Sequence, residues 1–152
     1  MDAGQYLYTA LSSHAAVAAI CDDRIYPMVM PQGAATPAVT YQVVSRNPGG
    51  SVLGDTTNLD RVRVQIDCWV DRGASTSAYV ISLDLAKAVR AALRDFRVVG
   101  EVPIVEDGEL QPNIPLEAWL RATPIDSSEL YDEDTQTYRV SSDFYVWTKP
   151  WS

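Results

Sequence analysis

The 152-residue chain is poor in the residue types that most often carry chemistry: it has one histidine and two cysteines. A nucleophilic triad needs a base beside its nucleophile, most often histidine. His14 opens an alanine-rich stretch, where a capping or surface position is the simpler expectation. A structural zinc site takes four Cys or His ligands, and the chain has only His14, Cys21 and Cys68 to offer. There is no Gly-x-Ser-x-Gly elbow, and "NPGGSVLG" lacks the Gly-Lys-Ser/Thr ending of a phosphate loop. No cofactor is therefore expected. Positive charge is also scarce. Twelve Lys and Arg against twenty Asp and Glu give a net charge of −8, which disfavours gripping nucleic-acid phosphates or an anionic membrane. A negative wall would still let DNA pass without sticking. No apolar run approaches the roughly 20 residues of a membrane span. "MDAGQYLYTA" shows neither a basic n-region nor an h-region, so a soluble protein made in a reducing cytoplasm is expected. In that setting Cys21 and Cys68, each among apolar neighbours, are expected as buried free thiols.

What is present is the material of a globular domain: 47% apolar and 21% charged residues. One domain over 1–152 is expected. Tyr6, Leu7, Ala10 and Leu11 step at helical spacing and predict a helix over 2–11. Ser12 or Ser13 then caps a short second helix over 14–21 with a stripe of Ala16, Val17 and Ile20. Pro27 and Pro31 make the following extended piece an edge strand or a covering segment. "PAVTYQVVS" reads as a strand with Val39, Tyr41 and Val43 on one face and Thr40, Gln42 and Val44 on the other. Residues 46–58 read as a long loop. In "LDRVRVQIDCWV" Val62, Val64, Ile66, Cys68 and Val70 form an apolar face, against Arg61, Arg63, Gln65, Asp67 and Trp69. Residues 75–93 form the main helix, capped by Ser75 or Ser77. Its stripe runs through Val80, Leu83, Ala86 or Lys87, Val89 or Arg90, and Leu93, and Arg90 and Arg94 suit its C-terminal end. A hairpin is possible about Asp107-Gly108, and strands are expected over 116–126 and 136–148. The fold class is α+β: a mainly antiparallel β-sheet with one long helix and short N-terminal helices packed on it.

Between the last two strands the acidic residues Asp132, Glu133 and Asp134 crowd together. Asp132 and Asp134 have the D-x-D start of a calcium loop, but its glycine and closing glutamate are missing. A solvated hairpin turn is the better reading, and no metal is expected. Asp67 and Asp143, both mid-strand, could meet as paired carboxylates in a hydrolase. Neutralisation by Arg61, Arg63 or Arg139 is the simpler outcome. Arg63 and Trp69 share one strand face, and Arg139, Asp143, Tyr145 and Trp147 share another. Arginine mixed with aromatics is what protein interfaces enrich. Either the long helix covers this face or a partner does. An exposed Trp69 or Trp147 would also suit a small glycan-binding module. No catalytic residue is assigned.

The order "LYTALSSHAAVAAICDDRIYP", "TPAVTYQVVS", "RVQIDCWV", "LDLAKAVRAAL", "YDEDTQTYRVSSDFYVW" resembles the tail completion proteins of long-tailed bacteriophages, also called tail terminator or head–tail joining proteins. They occur too in prophages and gene transfer particles. The resemblance covers nearly the whole chain except residues 96–115. It implies an α+β structural virion protein, assembled in the host cytoplasm into a homohexameric ring. That ring would cap the head-proximal end of the tail tube, join it to the head connector, and let DNA pass without specific binding. Length and polarity point to the 46–58 loop (Asn47, Gly49, Gly50, Asp55) and the acidic 126–135 turn as segments that project toward neighbours or the tube.

Overall fold

The computed structural model describes residues 3–47, 60–74, 77–95, 105–106, 109–110 and 122–148. Helices α1 (Ala3–Ser12) and α2 (Ala15–Cys21) come first, followed by strands β1 (Ile25–Pro27), β2 (Ala38–Asn47) and β3 (Asp60–Asp71). After a short 3-10 turn come α3 (Ala78–Asp95), β4 (Val105–Glu106), β5 (Glu109–Leu110), β6 (Ala122–Asp132) and β7 (Thr137–Thr148). Five strands form one sheet in the order β1-β2-β3-β7-β6. Among the described residues β1 and β2 run parallel and the other pairs of this sheet are antiparallel. This is the expected α+β architecture.

The alternation in β3 places it at the centre. Val62, Val64, Ile66, Cys68 and Val70 are all buried, and the register sets Val62 opposite Val146, Val64 opposite Phe144 and Cys68 opposite both Val140 and Val39. The apolar layer of β2, β3 and β7 receives Tyr6, Leu7 and Leu11 of α1, Val17 and Cys21 of α2, and Leu85, Val89, Ala92 and Leu93 of α3. Cys21 and Cys68 are free and buried, as expected. Burial pushes both thiols up, Cys21 to about 11.

Several elements differ from expectation. In α3 the buried face is Ala78, Ser82, Leu85, Ala88, Val89, Ala92 and Leu93, so Val89 and Leu93 of the expected stripe are in the core and Leu83 and Ala86 pack half-buried against it, while Val80, Lys87 and Arg90 are exposed. Two overlapping stripes satisfy the 3–4 spacing. The one that packs adds Ala78, Ser82, Leu85, Ala88 and Ala92 to Val89 and Leu93, and its alanines leave room for the bulkier side chains of the sheet. Neither Ser12 nor Ser13 caps α2. Both hydroxyls donate back to the Thr9 carbonyl, at 3.4 and 2.6 Å, and close α1 instead. His14 holds the N-cap position without a side-chain cap, and Ala16 is exposed. Arg46 and Asn47 belong to β2 rather than to a loop, and residues 48–58 lie outside the described residues.

The last hairpin is longer than expected. Residues 126–132, assigned to the acidic turn, are strand, and the turn is confined to residues 133–136. The expected strand over 116–121 lies outside the described residues. After Ala122, β6 is exposed at every position, so it lacks the apolar alternation by which a half-buried strand is recognised. Strands β4 and β5 pair across Asp107-Gly108, as the hairpin reading requires.

Tyr6 joins α1 to α3: its hydroxyl donates to the Leu93 carbonyl at 3.4 Å, and burial pushes its pKa up from 10.0 to about 12. Above pH 10 the unfolded tyrosine loses its proton while the folded one keeps it. This contribution to stability is therefore complete below pH 10 and is lost as pH rises to about 12. Urea titrations across that window should show a shallower loss of stability for Tyr6→Phe than for the parent chain. Parallel curves would mean that Tyr6 titrates alike in both states.

Candidate functional site

The other face of the sheet carries no described helix; α1, α2 and α3 all pack on the apolar side. Of the two outcomes left open for the arginine–aromatic face, cover by the long helix is not the one found. On this face β3 presents Arg61, Arg63, Gln65, Asp67 and Trp69, and β7 presents Arg139, Ser141, Asp143 and Tyr145. The pleat dictates that grouping, because side chains two apart on a strand share a face.

Arg63 and Arg139 each pair with a carboxylate within the face. The Arg63 guanidinium donates to Asp143 Oδ2 at 2.6 Å, a bond that raises the arginine's pKa further. Arg139 donates to Asp67 Oδ2 at 3.3 Å, and the Gln65 amide donates to both Asp67 oxygens at 3.1 and 3.2 Å. Asp67 and Asp143 do not face each other: Asp143 stands opposite Gln65, and Asp67 opposite Ser141. Each is engaged by a different arginine, the outcome set against a carboxylate pair. The aromatics are held by cations. The Arg139 guanidinium lies 5.0 Å from the Trp69 ring centre, and that of Arg61 lies 4.5 Å from Tyr145. The Trp69 indole N–H donates to Thr40 Oγ1 at 2.9 Å. A cleft near Gln65, Asp126 and Asp143 holds about 90 Å³, well short of the roughly 300 Å³ at which ligand pockets begin.

The expected interaction residues fall into two groups. Asn47, Arg63 and Tyr145 lie toward one end of the sheet, where the backbone of Trp147 pairs with Arg61; the Trp147 side chain lies outside the described residues. Trp69, Arg139, Asp132, Glu133 and Asp134 lie toward the other end. Gly49, Gly50 and Asp55 lie outside the described residues. The acidic turn is built by Asp132, whose Oδ1 accepts the backbone N–H of Asp134 at 2.9 Å and of Thr135 at 3.5 Å. Asp132 thus closes the turn through its own carboxylate, as the solvated-turn reading requires. Among the described residues no three His, Cys, Asp or Glu side chains gather as a metal ion would require.

Sequence reasoning missed the partnership of Thr40 with Trp69, although Thr40 stood on the polar side of its strand. It also missed the extension of the face onto β6, where Asp126, Ser128 and Leu130 stand opposite Asp143, Ser141 and Arg139. The strand expected over 116–126 reached only the first part of β6, and no periodicity marked its continuation to Asp132.

Comparison with known proteins adds three findings. A family model described as tail completion protein gp17 matches residues 5–149. No curated protein matches the chain. Among solved structures, a chain from the virion of a native gene transfer agent particle shares the fold, with a TM-score of 0.62 at 16% identity. The match covers 95% of this chain and 92% of that one.

Proposed function

The chain belongs to the tail completion protein gp17 family, structural proteins of phage tails, and from that premise we propose that it is a tail terminator. Six copies form a ring that caps the head-proximal end of the tail tube and ends tube growth. The ring joins the tube to the head connector, and DNA passes through its hole. Residues 1–152 act as one domain in this role, which is structural rather than catalytic. The observation that carries the proposal is the family match over residues 5–149, spanning the helices and both faces of the sheet.

Two physical features support it. Ring subunits meet head to tail, so each needs two different complementary patches. The sheet supplies two unlike ends: Asn47, Arg63 and Tyr145, joined by Trp147, at one, and Trp69, Arg139 and Asp132 to Asp134 at the other. Gly49, Gly50 and Asp55 are docking residues on the strength of their sequence. The net charge of −8 gives passing DNA a surface that repels it.

Electron microscopy of the protein mixed with its tail tubes tests the proposal. Six-fold rings at a single tube end are expected; bare ends, or tubes that keep growing, would overturn it. Arg63→Gln tests the face itself. The Arg63 side chain is 44% exposed, and exposed ion pairs contribute little to stability. The thermal midpoint should therefore hardly move while the fraction of capped tubes falls. Capping at the parent level would remove Arg63 from the docking surface.

A further inference from the structure

Strand β6 ends the sheet: β7 pairs with one side of it, and among the described residues no strand pairs with the other. Its eleven residues are exposed at all but the first, so beyond Pro124 and the register shift beside it, from Asp126 to Asp132, it presents a row of backbone donors and acceptors with no neighbour in this sheet. Beside it, on the apolar side of the sheet, runs a groove of about 440 Å³ between β6 and α3, with Leu83, Val140 and Phe144 among its lining residues. A second hollow of about 310 Å³ shares Arg90, Pro124 and Phe144 and prolongs it. An open strand edge next to a helix-walled groove is the geometry into which an extended peptide adds as a further strand. The backbone ladder gives affinity, and alternate side chains read the groove.

We infer that β6 and the α3–β6 groove receive an extended segment of a different polypeptide, alternately basic and apolar. This deepens the docking role proposed above and rests on it for the partner's presence in the same particle. Charge selects the occupant. From Ala122 to Gln136 the chain has Asp126, Glu129, Asp132, Glu133 and Asp134, and no Lys or Arg. Asp126 and Asp132 lie on the open face of the sheet, so an added strand meets them with its cations on that side. Its other side chains turn toward the groove, where Leu83, Val140 and Phe144 favour apolar groups, and where Asp126 and Glu129 line the wall together with Lys87 and Arg90, so that charge there is balanced.

The same charges exclude a second copy of β6, because two such edges would set carboxylates opposite carboxylates. Among the described residues the alternating basic–apolar run of this chain is Arg61 to Val64, and β3 has both edges taken by β2 and β7.

Titration of the isolated full chain with fluorescein-labelled peptides tests the edge without any ring or tube. A ten-residue (Lys-Val)5 peptide should bind saturably, with NMR shifts concentrated in residues 122–132 and 79–90. The same peptide with every backbone amide N-methylated keeps its charge but cannot form the ladder. It should bind at least about tenfold more weakly, as loss of a few net hydrogen bonds implies. A (Glu-Val)5 peptide should not bind. The double variant Asp126→Lys/Glu129→Lys, at exposed positions, should fold and reverse the preference. Equal binding of the N-methylated peptide, shifts elsewhere on the chain, or an unreversed preference would overturn the inference. Failure here leaves ring formation at tube ends untouched, and failure of that reading leaves the peptide result standing.

Discussion

Leu85→Ala will lower the unfolding free energy by about 2–5 kcal/mol, the range for a fully buried leucine replaced in a core that relaxes only in part. Leu85 is 0% exposed, at the middle of α3, against the apolar layer of the sheet. Val80, five residues earlier on the same helix, is 52% exposed. Val80→Ala should change stability by no more than about 0.5 kcal/mol, since exposed substitutions rarely do more and alanine is the better helix former. Urea denaturation of the two variants measures the contrast directly. Because the spacing of apolar residues alone favours Val80 as a core position, the comparison tests which stripe of α3 faces the sheet. A larger loss at Val80 than at Leu85 would reverse the orientation of the helix.

Arg46→Met should cost about 3 kcal/mol, near the lower end for removing one partner of a buried ion pair. The Arg46 guanidinium lies 3.6 Å from Asp60 Oδ2, with the side chains 15% and 3% exposed. The pair fastens the end of β2 to the start of β3, next to Asn47 in the candidate docking surface. Arg46→Met removes the cation nearest the buried Asp60 carboxylate. The double variant Arg46→Met/Asp60→Leu removes both charges and should recover much of the loss, because apolar groups of similar volume often replace buried pairs at little cost. A double-mutant cycle by chemical denaturation gives the coupling. Additive losses would mean that the two groups do not depend on each other.

The elements that were legible had one face in the core. Strand β3 alternates strictly from Val62 to Val70, and α1 repeats its apolar residues at three and four, so local spacing alone identifies both. The short hairpin at Asp107-Gly108 was marked by its turn residues. In α3 apolar residues of similar spacing lie on two adjoining stripes, and hydrophobicity could not say which one a close-packed sheet would accept. Past Ala122, strand β6 is exposed, and its few apolar residues follow no alternation. It owes its conformation to hydrogen bonds with β7, which leave no trace in its own pattern. Arg46 looked like loop material because its partner, Asp60, lies beyond the whole intervening segment.

The sequence by itself determined the α+β class, the apolar face of the central strand, the burial of both thiols and the presence of arginines and aromatics together on one strand face. Each follows from composition or from periodicity within a single element. Only the tertiary structure decided which arginine meets which carboxylate, because Arg63 and Asp143 stand 80 residues apart and Arg139 and Asp67 stand 72 apart. Strand register sets those meetings, and register is settled by packing across the sheet rather than by any local signal. The same packing put α1, α2 and α3 on the apolar side and left the arginine–aromatic face turned away from them.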